Sequence, residues 1–400
     1  KYDATRKTTV DAWREFRNKC SKRALVIMPV QTGELREFAI KNNLFVLNLN
    51  KELGDAGAGQ NISLLEEVLA WLEPNAPVYG WEQGVSEDQF VARVSKSGHP
   101  MIPCDWSYNH SLLSLLYEKG REQVLPRIFD PRSIDFKKKE NFVSFFLSDG
   151  DNIQWMMQGF ASRYYDVPEA EDVKMTFGLP VATLAMMAPV QFNNLMGLQK
   201  QNCSLMEMLG GGYYYVDTYS QDHNRKTNLR VAAKRLAVSM RQYQIKLLGI
   251  MAMDVKSEAA KEAYQVYVDA NDQLEGIVVL QYSPYAGGEG EVFWVTNKAG
   301  YDIPVITVKY SLWDRIHERE GSPDFIASKL KEEAQEESFS VVCVHAWSRF
   351  EGDTYGASAA KRCAERLDDR FEAINMQELV WRLRMSRRPE QTLDYLNKIY

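Results

Sequence analysis

No stretch of this 400-residue chain approaches the roughly 18 consecutive apolar residues needed for a membrane-spanning helix, so a membrane span is not expected. Cysteine is sparse and scattered. Cys20, Cys104, Cys203, Cys343 and Cys363 are odd in number and never form a CxxC pair. That pattern argues against a disulfide framework or a zinc ribbon, and it fits buried thiols acting as small hydrophobes. The five histidines show no HxH or HExxH spacing, which disfavours a histidine-rich metal site. Positive charge is not in surplus: 48 Lys and Arg against 54 Asp and Glu leave a net charge of −6. Nucleic acid and anionic membranes are therefore not the expected partners. The glycine clusters "GGEGE" and "LGGGY" lack the Lys-Ser/Thr of a phosphate loop, which sets nucleotide binding aside. An initiator Met is also missing before Lys1, which fits a processed, exported chain.

What is present is an ordinary globular composition, 45% apolar and 26% charged, with nine Trp and twenty Tyr, many beside polar loop residues. Four hundred residues exceed one ordinary core, so two units are expected: residues 1–138 and residues 139–400, divided at the charged run Lys137–Asn141. In the first, "RALVIMPV", "NLFVLNLN", "PVYGW" and "HPMIPCDW" read as short buried strands between helices, a small parallel α/β domain. The clearest helix follows Ser63, which forms an expected capping box with Glu66 and precedes an apolar face of Leu64, Leu65, Val68, Leu69 and Leu72. From Asn141 the pattern repeats at about the length of a βαβ unit. Eight apolar runs qualify as strands: "FVSFFLS", "KMTFGLP", "GYYYVD", "IKLLGIMAMD", "GIVVLQY", "PVITVKY", "SVVCVHAW" and "RFEAIN". Ser322-Pro323 and Asn375 with Glu378 mark two helix starts. Only "SPYAGGEGEVFWVTNKAGYD" breaks the alternation, reading as a glycine-rich loop and hairpin. The fold class expected is α/β: a small parallel domain followed by a distorted (β/α)8 barrel of the TIM type. A doubly wound sheet is the alternative.

In such barrels the C-terminal strand ends build the site. Here they carry Ser148-Asp149-Gly150-Asp151-Asn152, Asp217-Thr218-Tyr219, Asp254, Gln281-Tyr282, Lys309-Tyr310 and His345-Ala346-Trp347-Ser348. Gly150 suits a turn that other residues resist. Asp151 or Asn152 also has an ordinary use as a helix cap, as does Asp254. Asp149 has none. Glu289 and Glu291 lie in the glycine-rich loop, where solvent exposure is the commoner fate. In "LGGGYYYVDTYS", Tyr213 and Tyr215 share one strand face and Tyr214 takes the other.

The run Gly210-Gly211-Gly212-Tyr213-Tyr214-Tyr215-Val216 resembles the motif of the GxGYxYP family of glycoside hydrolases, found largely in polysaccharide-degrading bacteria. Val216 replaces the motif's last proline. "SDGDNIQW", "YGW", "CDWSYN", the Leu312-Trp313 pair and "VHAWS" are similar to the family in the same order along the chain. The resemblance implies an N-terminal α/β domain, a barrel-like C-terminal domain, a carbohydrate substrate, and a periplasmic or cell-surface setting in a bacterium. It assigns no catalytic pair.

Glycosidases usually use one carboxylic acid to protonate the leaving oxygen and a second carboxylate as nucleophile or base. The residues suited to this are Asp149 or Asp151 as base or nucleophile, and Asp254 or Glu289 as acid. Trp81, Asp105, Trp106, Asn109, Asn152, Tyr213, Tyr215, Asp217, Tyr282, His345 and Trp347 supply rings and polar groups for binding sugar. Trp81, Asp105, Trp106 and Asn109 come from the first unit, where they are expected to close over the barrel mouth. This chemistry requires no cofactor. Two alternatives remain open: a metal-assisted carbohydrate hydrolase such as a deacetylase, with a divalent ion on Asp149, Asp151 and His345, and a glycan-binding protein without catalysis.

Overall fold

In the computed structural model of the chain, every residue is described except 1, 2, 4, 29–32, 50–61, 82–85, 118–122, 128, 222 and 317–319. The early apolar runs form strands β1 (Leu25–Ile27), β2 (Phe45–Leu47), β3 (Val78–Gly80) and β4 (Met101–Ile102). They pair in parallel in the order β2-β1-β3-β4. The expected strand residues 29–30 and 50 lie outside the described residues. The helix Ile62–Trp71 buries Leu64, Leu65, Val68 and Leu69 against this sheet. Ser63 is the second residue of that helix, so the cap expected there is displaced: the helix begins earlier than the Ser-x-x-Glu spacing implied.

The remaining strands are β5 (Asn141–Leu147), β6 (Thr176–Leu179), β7 (Ser204–Met208), β8 (Leu247–Ala252) and β9 (Gly276–Gln281), followed by β10 (Val292–Thr296), β11 (Asp302–Thr307), β12 (Tyr310–Leu312), β13 (Ser338–Val344) and β14 (Phe371–Ala373). They make one curled, mostly parallel sheet. Its closure depends on the segment Asp302–Leu312. The first half, β11, pairs with β9; Val308 N–H then reaches Val279, Lys309 N–H reaches Val341, and β12 pairs with β13. With β13 on β5 and β5 through β9 paired in sequence, the ring is complete. This is a distorted TIM-like barrel.

The distortions are local. β10 is an antiparallel strand outside the ring, paired with β11 as the hairpin pattern suggested. β14 does not enter between β13 and β5. It takes the other edge of β5, pairing with Asn141–Val143, while β6 pairs only with Phe146 and Leu147. The third barrel strand is "SLMEM" and not "GYYYVD". Glu207 in its middle obscures the apolar pattern. This carboxyl is fully buried and accepts the backbone N–H groups of Ala182 and Gly210, each at 2.9 Å.

Alternation along each strand splits the core in two. Phe142, Phe146, Met206, Met208, Met251, Val278 and Cys343 fill the barrel interior and run on into the core of the first sheet. Val143, Phe145, Leu147, Leu248, Ile277 and Val342 face the surrounding helices. The helix Met376–Arg387 packs Val380 against Gly276 at the start of β9, so it plugs the end away from the strand mouths. Asn375 and Ser322 cap their helices, accepting from Glu378 N–H and Phe325 N–H.

Candidate active site

The C-terminal mouth of the barrel faces the first sheet. The contact is made by the run after β7. Met101 of β4 and Tyr213 exchange backbone hydrogen bonds of 3.0 and 2.6 Å, an antiparallel bridge between the two sheets. Gly212 makes this approach possible. It has φ +102°, and a Cβ there would stand 2.4 Å from Pro100 Cβ and 2.9 Å from the Met101 carbonyl. Tyr213 and Tyr215 pack into the shared interior core, while Tyr214 turns to the helix layer, as alternation requires.

Between the two units lies a cavity of about 260 Å³, lined by Trp81, Glu87, Asp105 and Trp106 from the first unit and by Asp149, Asp151, Asn152, Gln154, Tyr213, Tyr285 and Trp347 from the second. Four carboxyl groups and no Lys or Arg appear among its described lining residues.

Asp149 stands at the mouth of β5 with φ +66°. Its Oδ2 accepts from Ser148 Oγ and from Ala346 N–H at 3.2 Å, so the mouth of β13 fixes its direction. Gly150 is glycine for a different reason than the turn expected of it: its φ is ordinary, but a Cβ would lie 2.3 Å from the Gly178 carbonyl of β6. Asp151 opens on the cavity yet is packed deep in protein. Burial, followed by the charges of Asp149 and Glu87, pushes its carboxyl well above the ordinary carboxylate range. Burial likewise raises Asp105, against hydrogen bonds that include one from Gln154 Nε2 at 3.1 Å. Glu87 is raised by burial and by Asp149, while the Tyr213 hydroxyl, donating at 2.8 Å, draws it down. Trp81 stacks on Tyr213 with ring centroids 6.4 Å apart and planes 11° apart.

His345 sits behind Asp149 and not on the cavity surface. Its ring stacks on Trp313 at 4.3 Å and 7°, Nδ1 pairs with Ser348 Oγ at 3.0 Å, and Nε2 is 3.9 Å from Asp149 Oδ1. Burial lowers its pKa against the pull of Asp149. Among the described residues no group of three His, Cys, Asp or Glu side chains could hold a metal ion.

Several expected residues are not brought to the cavity. Asp254 is exposed; its own N–H binds Asp217, and its carboxylate accepts Lys256 N–H at 2.9 Å to close a local turn before the cap Ser257. Glu289 and Glu291 are exposed and face Lys256 at 3.6 and 3.0 Å. Asp217 is buried, holding the Met253 and Asp254 N–H groups at 3.1 and 2.9 Å, which anchors the mouth of β8. Asn109 starts the short helix His110–Leu113. Tyr215 and Tyr282 pack on each other, 5.8 Å apart, in the layer beneath the cavity wall. Glu87 and Tyr285 were not anticipated. In sequence Glu87 is one more acid in the first turn of a helix; the available signal was its place after Trp81, at a βα corner of the first sheet that mirrors the Asp149 corner.

A larger hollow of about 430 Å³ lies on the other side of the glycine run. Its lining includes Tyr79, Ile102, Met187, Gly210, Gly211 and Leu236, with no carboxylate among the described lining residues.

Residues 139–384, more than half of the chain, match the family model described as "GxGYxYP putative glycoside hydrolase C-terminal domain", and residues 22–115 match "GxGYxYP third domain". A solved structure of a "putative hydrolase from Bacteroides thetaiotaomicron VPI-5482" is similar, with 18% identity and a TM-score of 0.78 over 95% of this chain and 69% of that one. At such identity the likeness concerns the fold. No curated protein matches the chain.

Proposed function

The chain belongs to the GxGYxYP family, and from that premise we propose that it hydrolyses glycosidic bonds in the cavity between its two units. One observation carries the reading: carboxyl groups from both units share that cavity with aromatic faces. Asp149 is held in place by Ser148 Oγ and Ala346 N–H, while burial first of all raises Glu87, Asp105 and Asp151 toward the protonated form. Paired-carboxylate hydrolysis needs a proton donor and a second carboxyl that serves as nucleophile or base. Asp149 acts as nucleophile or base, with Ala346 N–H and Ser148 Oγ holding it in place. Trp81, Trp106 and Trp347 offer faces for a sugar ring. A cavity of about 260 Å³ is at the small end for a ligand site, which suits the end of a glycan. No Lys or Arg among its described lining residues could pair with a uronate or a sulfated sugar, so the substrate class is a neutral glycan.

The test is turnover of neutral oligosaccharides and aryl glycosides by the wild type and by Asp149→Asn. Hydrolysis of at least one substrate by the wild type, and its loss in a folded variant, is the expected result. A wild type inert across the panel contradicts the reading.

A further inference from the structure

Three raised carboxyls compete for the role of proton donor. Two of them, Asp151 and Asp105, come with obstacles. Asp151 is two residues from Asp149 on the same strand-end corner, so both sit on one wall, whereas the acid and the base or nucleophile must flank the scissile bond. Asp105, raised first by burial, feels the charge of Glu34 of its own unit, whereas the charge acting on Glu87 includes that of Asp149 itself. Glu87 comes from the other unit, at the first turn of the helix Glu87–Lys96, and reaches into the cavity from the wall that carries Trp81.

We propose that Glu87 is the general acid of the site, supplied by the N-terminal unit and aimed by the hydroxyl of Tyr213. This rests on the glycosidase reading above. The family motif thereby gains a physical role. Gly212 lets β4 dock on the run after β7, and the next residue, Tyr213, clamps Glu87 by a 2.8 Å hydrogen bond while its ring is held against Trp81. Docking of the two units and assembly of the catalytic pair are then one event.

In the reaction the bond from the anomeric carbon to the leaving oxygen breaks, its electron pair stays on that oxygen, and the Glu87 proton neutralises it. With Asp149 as nucleophile, the glycosyl ester is hydrolysed by water whose proton restores Glu87. With Asp149 as base, it takes a proton from the attacking water. Either way, glycoside and water become two hydroxyl compounds. The titratable groups facing Glu87 are Tyr213, Tyr215, Tyr282, Tyr285, Asp88, Asp149 and Asp151. Burial above all, and then the charges of Asp149 and Asp88, hold the Glu87 proton on against the Tyr213 hydrogen bond, so activity falls as pH rises through a value above the ordinary glutamate range.

The experiment compares Glu87→Gln with the wild type on a phenyl and a 2,4-dinitrophenyl glycoside of one sugar that the wild type accepts. The phenoxide must be protonated to leave; the dinitrophenoxide need not be. Expected is a drop of about 10²–10⁴-fold in kcat/KM on the phenyl glycoside, at most about tenfold on the dinitrophenyl one, and loss of the alkaline limb of the pH profile. An equal drop on both, or the selective drop appearing instead in Asp151→Asn or Asp105→Asn, overturns the assignment. A wild type inactive on every glycoside overturns the glycosidase reading itself. Tyr213→Phe keeps the acid and removes the donor that stabilises its anion, so its alkaline limb moves to higher pH. An unmoved limb overturns the positioning role of Tyr213.

Discussion

The mouths of β5 and β8 look alike in sequence, each an apolar run ending in an aspartate before a helix, and the structure uses them oppositely. At β5 the backbone turns left-handed at Asp149, and donors from its own serine and from the mouth of β13 hold the carboxylate toward the cavity. At β8 the neighbouring carboxylate of Asp217 holds the backbone of Met253 and Asp254, and Asp254 spends its oxygen on its own turn, out in solvent. A strand end places an acid near the mouth. The adjacent loop decides whether it points in.

The sharpest way to break this contrast is to neutralise each aspartate. Asp149→Asn is expected to lose at least about 10³-fold in kcat/KM, the scale of losing a positioned acid–base group, while Asp254→Asn stays near wild type in the same assay. Parity between the two variants breaks the comparison. Gly212→Ala should come next, because a Cβ would strike both Pro100 and the Met101 carbonyl at a φ of +102°. It should cost about 1–3 kcal/mol in chemical denaturation, with activity falling further than the unfolded fraction explains, because Tyr213 moves. Asp217→Ala removes the two-N–H anchor at β8 and should cost about 1–3 kcal/mol, read from the denaturation midpoint, without changing the pH profile of the folded enzyme. The smallest effect is expected of Glu289→Gln, whose exposed contact with Lys256 is screened by solvent; melting temperature and turnover should not shift measurably.

Much of the frame was legible from periodicity. The four early strands, the hairpin after β9, the caps at Ser322 and Asn375, and the barrel strands other than β7 follow from apolar spacing and turn chemistry. Long-range pairing was not legible. The insertion of β14 on the far edge of β5 leaves no local mark, and Glu207 disguised β7 because its partners, Ala182 and Gly210, belong to other segments. The site divided in the same way. Corner acids such as Asp149 carry a local signal, whereas Glu87 owes its position to the docking of one sheet on another through Gly212 and Tyr213, which no window of sequence contains.

The most direct test of a carboxylate centre between the two units is a crystal structure of Asp149→Asn with a neutral oligosaccharide bound. The account predicts a terminal sugar ring against Trp81, Trp106 or Trp347, with its glycosidic oxygen within hydrogen-bond distance of Glu87. A glycan seated in the apolar hollow beside Met187 and Leu236, with the acidic cavity empty, would contradict it.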